Sequence, residues 1–211
     1  MKKSGYEGEG LLNTATRPLL LVLSGPSGAG KDSVLTRVKK LDIPLEFIVT
    51  VTTRPRRPRE RDNIDYHFIS EASFQKMLQA KELLEWANVY GNWYGVPKKS
   101  VKQALDRGQD VVVKVDIQGA ITIKKILPQA VSIFLIPPSM QELITRLRQR
   151  NTESKTDLDL RLKTAEQEIK KLPMFDYVVV NKQEQIDSVV SDIRAIITAE
   201  KLRVSSREYN L

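Results

Sequence analysis

Nine residues constrain this chain more than any others: Gly25-Pro26-Ser27-Gly28-Ala29-Gly30-Lys31-Asp32-Ser33. Ahead of them runs an apolar stretch at 19–24, bounded by Pro18 and Gly25. Behind them Val34, Leu35, Val38 and Leu41 recur at helical spacing. Strand, glycine loop, helix is the context in which G-x-x-x-x-G-K cradles phosphate. The glycines let the backbone curl so that several N–H groups converge, and the first helical turn adds its own N–H groups and a positive dipole end. Lys31 then reaches the outer phosphates of a nucleotide. The motif asks for Ser or Thr after the lysine, as a Mg²⁺ ligand. Here Asp32 stands in that place and Ser33 follows.

The rest of the chain alternates strand and helix. Apolar runs at 46–51, 110–116, 131–136 and 177–181 read as strands, and the middle two are continuous enough to be buried parallel strands. Helical spacing marks 31–40, 101–105, 119–127, 140–150, 158–172 and 186–197. The stretch 50–96 breaks the rhythm. Pro55 and Pro58, set among Arg54, Arg56, Arg57, Arg59 and Arg61, exclude a helix there. Residues 66–70 alternate as an exposed strand, Phe74, Met77 and Leu78 mark a short helix, and 85–96 reads as a hairpin turning at Gly91-Asn92. The expected fold is α/β in three layers, a parallel sheet with helices on both faces. A small antiparallel insertion at 50–96 and a helical excursion at 146–161 interrupt the core, which occupies 19–49, 97–145 and 162–203 of a single domain at 19–211. Residues 1–18 read as a flexible tail. In such sheets ligands lie at the carboxyl ends of the strands.

Composition narrows the partners. With 211 residues and no cysteine, the chain is one domain without disulfides or thiolate metal sites, suited to a reducing compartment. The first 18 residues hold no apolar run long enough for a signal peptide or a membrane span. The expectation is a soluble, cytoplasmic protein with no membrane partner, monomeric or a small homo-oligomer. A net charge of +8 suits either nucleic acid or small phosphorylated ligands. No nucleic-acid module is recognisable in the arginine-rich stretch 54–61, so small ligands are expected and nucleic acid is not. The one histidine, His67, reads as an ordinary strand residue.

From about 20 to 203 the chain resembles the guanylate kinases. The resemblance is carried by Ser24 and the glycine loop through Lys31, by Thr52-Thr53-Arg54 with Arg57, and by Asp65-Tyr66. It continues in Leu84-Glu85-Trp86-Ala87, Gly91-Asn92-Trp93-Tyr94-Gly95, Val115-Asp116-Ile117-Gln118-Gly119, Pro137-Pro138-Ser139, Arg146, Arg150, Thr152-Glu153 and 178–181. It implies a P-loop kinase that transfers the γ-phosphoryl group of ATP to GMP or dGMP with Mg²⁺. By this resemblance Gly25 to Ser33 and Asn181 bind ATP. Thr50, Arg54, Arg57, Tyr66, Glu85, Tyr94 and Asp116 bind GMP. Lys31, Arg54 and the lid arginines Arg146, Arg150 and Arg161 carry catalysis, and Asp32 and Asp116 are the candidate metal ligands. The chemistry is consistent with a chain holding one histidine. The acceptor phosphate is its own nucleophile, so transfer needs alignment and charge neutralisation and no base. The alternative from another class is a catalytically inactive guanylate-kinase-like interaction module. Such modules lose the working loop, which is complete here.

Four departures from the family pattern stand out. Val96 replaces a hydroxyl residue near the guanine, and Asn151 replaces a glycine in the lid. Asp32 replaces the hydroxyl after the P-loop lysine, and Lys114 replaces an acidic residue two places before Asp116. The last two exchange sign. Because the strand at 110–116 is expected beside the P-loop strand, Asp32 and Lys114 are expected within ion-pair reach, with Asp32 still holding Mg²⁺ directly or through a water; the alternative is that Asp32 points away and Ser33 or water serves the metal.

Overall fold

The computed structural model describes residues 17–41, 44–58, 60–89, 91–149, 155–182, 184–205, 207–209 and 211. The expected tail before residue 17, together with Arg150 and Asn151, lies outside them.

Among the described residues β1 (Leu20–Ser24) is the middle strand of a parallel sheet. β7 (Asp110–Lys114) and then β2 (Leu45–Phe47) lie to one side, β8 (Val131–Ile136) and β9 (Tyr177–Val180) to the other. Alternation along β1 decides the layers. Leu21 and Leu23 pack into a core with Val34 and Val38 of α1 (Lys31–Lys40) and with Val189 and Ile193 of α7 (Ile186–Lys201). Leu20 and Val22 face the opposite core, built from Val101 and Ala104 of α3 (Lys98–Asp106) and Ile123 of α4 (Ile117–Ile126). Both faces of the sheet are thus covered by helices, and its central strands are predominantly apolar. Truncating a side chain such as Leu21, almost wholly buried, costs about 2–5 kcal/mol.

The insertion forms a second sheet in the order β4-β3-β6-β5: β4 (His67–Phe68), β3 (Val51–Thr52), β6 (Asn92–Pro97) and β5 (Leu83–Val89). It was expected to be antiparallel and is mixed. β5–β6 and β3–β6 are antiparallel, but β3 and β4 run parallel because the arginine loop carries the chain back before β4 begins. The single apolar run expected at 46–51 is also divided. β2 joins the large sheet and β3 the small one, so this run bridges the two sheets. α2 (Glu71–Gln79) buries Phe74, stacked on Trp93 with ring centroids 5.8 Å apart. α5 (Met140–Gln149) and α6 (Lys155–Ile169) pack through Leu143, Leu147 and Ala165. The helix expected through 172 ends at Ile169, and Leu172 begins a short 3₁₀ turn with Pro173 in its first positions. Among the described residues no helix is long and apolar enough to cross a membrane.

Candidate active site

β1 delivers the chain to the P-loop with Gly25, Gly28 and Gly30 at φ of 144°, 86° and 92°. A side chain at Gly25 would collide with the Leu135 carbonyl oxygen, and one at Gly30 with the Asn181 amide, so backbone conformation and close approach both demand glycine. The loop is held from behind. Asn181 Nδ2 donates to the Ala29 carbonyl at 2.7 Å, and Arg146 donates to the Ala29 and Asn181 carbonyls at 3.3 and 2.7 Å. Arg146 also pairs with Glu142. Asn181, expected to bind ATP, holds the P-loop backbone through its side chain. Arg146, expected as a lid arginine, braces the loop from outside the cavity.

Lys31 folds over the loop and donates to the Gly25 and Pro26 carbonyls at 2.5 and 3.2 Å. Burial lowers its pKa to about 8, against the pull of Asp32 and Glu168. Ser33 is exposed and does not line the cavity beside the loop.

That cavity, about 270 Å³, is shared between the P-loop and the small sheet. Ser27, Gly28, Lys31 and Asp32 line one end, and Thr50, Arg57, Tyr66, Glu85 and Tyr94 the other, with Asp116 between. Tyr66 and Tyr94 meet edge to face at 5.9 Å. Arg54 lies just outside, its Nε donating to the Tyr94 hydroxyl at 3.2 Å and its Nη2 to Glu60 at 2.7 Å. Thus Arg54 and Arg57 are not equivalent: the first is anchored behind Tyr94, the second lines the cavity. Glu60, which orients Arg54 and also accepts from the Arg57 amide at 2.8 Å, was not read as a site residue, because one acid in an arginine loop carries no spacing signal.

Glu85 lies on β5 and is 3% exposed. Its Oε2 is buried without a hydrogen-bond partner. Burial first, and the negative charge of Asp116 second, push its pKa up to about 8. The carboxyl packs against Gly119 of α4, where a Cβ would fall 2.7 Å from it. Val96 is its cross-strand neighbour, fully buried and unable to donate a hydrogen bond. Asp116 caps α4 by accepting from the Gly119 amide at 2.8 Å. Thr50 is buried in the cavity wall, while His67 contacts Asn63 on the insertion, away from the cavity lining.

The lid side is contributed by one stripe of α6. Arg161, Thr164 and Glu168, spaced by three and four, line the cavity. Arg161 donates to the Ser27 hydroxyl at 3.4 Å. Glu168 has its pKa raised to about 7 by burial and Asp116, while Lys31 and the Ser27 amide draw it down. Glu168, Thr164, Asn88 and Gln118 were missed from the sequence. The polar i, i+3, i+7 pattern after Arg161 was the available signal for two of them.

The expected meeting of Asp32 and Lys114 is present. Lys114 ends β7, directly beside Leu23 of β1, and its Nζ stands 2.6 Å from Asp32 Oδ1. Alternation on β7 explains the reach. Val111 and Val113 face α3 and α4, Val112 faces α1, and Lys114 follows Val112. Burial lowers the Lys114 pKa, but Tyr66 and Asp32 outweigh it and push it up to about 12.

Known proteins are similar to this chain over most of its length. A family model described as Guanylate kinase matches residues 16–200. A guanylate kinase of Carboxydothermus hydrogenoformans is 42% identical over 92% of this chain and 94% of its own length. One of Desulfitobacterium hafniense is 44% identical over 90% and 94%. The crystal structure of guanylate kinase from Anaplasma phagocytophilum superposes with a TM-score of 0.74 at 34% identity, covering 90% of this chain and 89% of that one. With the family model spanning most of the chain and such relatives matching nearly end to end, the chain belongs to the guanylate kinase family.

Proposed function

We propose that this protein transfers the γ-phosphoryl group of ATP to GMP, giving ADP and GDP. The observation that carries the reading is Glu85: a buried carboxyl with an unpartnered oxygen, in the same cavity as a complete phosphate loop. A carboxylate there accepts from guanine N1–H and the 2-amino group, whereas adenine has no N1 donor and leaves the buried acid unpaired. Sites of that kind discriminate by about 10⁴–10⁵.

The remaining residues divide the work. The backbone amides of 25–31 and Lys31 hold the donor phosphates. Lys31 exchanges its contacts with loop carbonyls for phosphate oxygens, which also favour its charged form. Arg57, Tyr66 and Tyr94 receive the acceptor phosphate, and Arg54 orients Tyr94 from behind. Thr50 and Asp116 border the nucleoside. Arg161 swings from Ser27 onto the phosphates as α6 approaches, placing a cation where charge spreads in the transition state and excluding water. The acceptor oxygen attacks in line, and no side chain needs to take a proton.

Among the described residues no three acidic or histidine side chains gather into a metal cage. Asp32 and Asp116 are hard oxygen donors on the cavity wall, and two carboxylates fit Mg²⁺, which binds through one or two such groups plus substrate phosphates. When bound there, it would neutralise charge on the β- and γ-phosphates. Residues 50–96 then serve as the GMP-binding region and 146–161 as the lid, in a cysteine-free chain suited to the cytoplasm.

The test is a coupled ADP-release assay with GMP, AMP, UMP and TMP as acceptors. GMP should exceed each of the others by at least 10³-fold in kcat/KM. Comparable rates with AMP would refute the assignment, and no turnover with any acceptor would favour the interaction-module alternative.

A further inference from the structure

Lys114 stands between the two ends of the cavity. On one side its ammonium is 2.6 Å from Asp32 in the first turn of the P-loop helix. On the other it lies 4.3 Å from the centroid of the Tyr66 ring. Tyr66 in turn meets Tyr94 edge to face, and the Arg54 guanidinium lies 5.6 Å from the Tyr66 ring centroid. A continuous set of contacts therefore runs from the P-loop helix through one cation to the acceptor clamp. The Lys114 side chain is 16% exposed, so little water screens it.

We propose that Lys114 is a positioning residue that couples the donor and acceptor sites. The inference rests on the function proposed above. Two polyanions must approach each other in one small cavity, and their repulsion opposes double occupancy. A static cation would attract each separately and add nothing to their coupling, so Lys114 acts on the coupling through its position, which contacts at both sites set. Asp32 keeps the ammonium at the loop end and Tyr66 keeps it at the clamp end. A ligand that shifts either partner therefore moves the charge seen by the other.

The experiment is equilibrium calorimetry with GMP, alone and in the presence of saturating adenylyl imidodiphosphate and Mg²⁺. In the native protein the ATP analogue should tighten GMP binding by about 10-fold, a coupling of ordinary size. In Lys114→Met the tightening should fall to about twofold or less, while each nucleotide bound alone changes by less than fivefold. Lys114→Gln, which can still hydrogen-bond Asp32 but carries no charge, keeps the test open should the first variant fold poorly. It should also show reduced coupling, because the bridging cation is gone. Coupling of native size in both variants would overturn the role of Lys114. Absence of GMP binding to the native protein would instead overturn the proposed function itself, so the two failures are distinguishable.

Discussion

The two ends of the cavity are built on opposite plans. At the donor end the polar groups already have partners, and those partners are mostly backbone carbonyls: Lys31 on Gly25 and Pro26, Asn181 on Ala29, Arg146 on Ala29 and Asn181. At the acceptor end the decisive group has none. Glu85 is buried with an open oxygen, pushed up to about 8, facing a valine across the strand and a glycine on the helix. In the function proposed above, the donor end holds the ATP phosphates on a loop already shaped for them, and the acceptor end adds to its phosphate clamp a buried acid that would select guanine.

The comparison breaks hardest at Lys31. Lys31→Met removes the cation proposed to leave its loop carbonyls for the transferred group. Turnover should drop by about 10³-fold or more, roughly 4 kcal/mol of transition-state stabilisation, while Tm holds within a few degrees. A rapid-quench rate close to native would remove Lys31 from the chemistry.

Glu85→Gln should act next. One acceptor oxygen is kept and the charge is lost, so kcat/KM for GMP should fall about 10²-fold, roughly 3 kcal/mol, with KM for ATP nearly unchanged. Apo stability should respond in the other direction. Glu85 titrates at about 8 when folded and near 4.5 when unfolded. The folded state therefore binds the extra proton, and its contribution is full below pH 4.5 and lost as pH rises through 8. The Gln variant lacks this loss, so its Tm between pH 5 and pH 9 should decline less than that of the native protein. Parallel Tm profiles would argue against the buried, protonated acid.

Gly119→Ala sharpens the same contrast without touching a functional group. The new Cβ falls 2.7 Å from the Glu85 carboxyl and forces it aside. An increase of about tenfold in the KM for GMP is expected, with kcat and the KM for ATP little changed. An unaltered KM would mean that the position of Glu85 is not set by α4.

How much of this was legible follows the same division. The donor end is contiguous in sequence, and its glycine spacing encodes the backbone directly, so the loop, the flanking strand and the parallel sheet could all be read. The ion pair of Asp32 with Lys114 was also readable, because adjacent parallel strands bring their carboxyl ends together and two sign changes made the pair conspicuous. The acceptor end is assembled from residues far apart, none informative alone: Thr50, Arg57, Tyr66, Glu85, Tyr94 and Asp116 were identified through family resemblance. Packing details stayed hidden. Nothing in the sequence says that Arg54 turns to Glu60 or that Arg146 braces Asn181, since those choices depend on which of several nearby acceptors the fold presents. The parallel pairing of β3 and β4 was missed because a proline-broken loop gives no sign of its return path.

Proton release on GMP binding is the most direct test of an acceptor end that awaits its ligand. Glu85, at about 8 in the empty site, holds a proton at pH 7 and must lose it to accept two guanine donors. Calorimetric titration of GMP at pH 7, in two buffers of different ionisation enthalpy, gives the number of protons released. The native protein should release more protons per GMP than Glu85→Gln, on the order of one, and the difference should vanish well above pH 8. Equal release by the two proteins at pH 7 would contradict the account, since Glu85 would then be either already ionised or not in contact with the base.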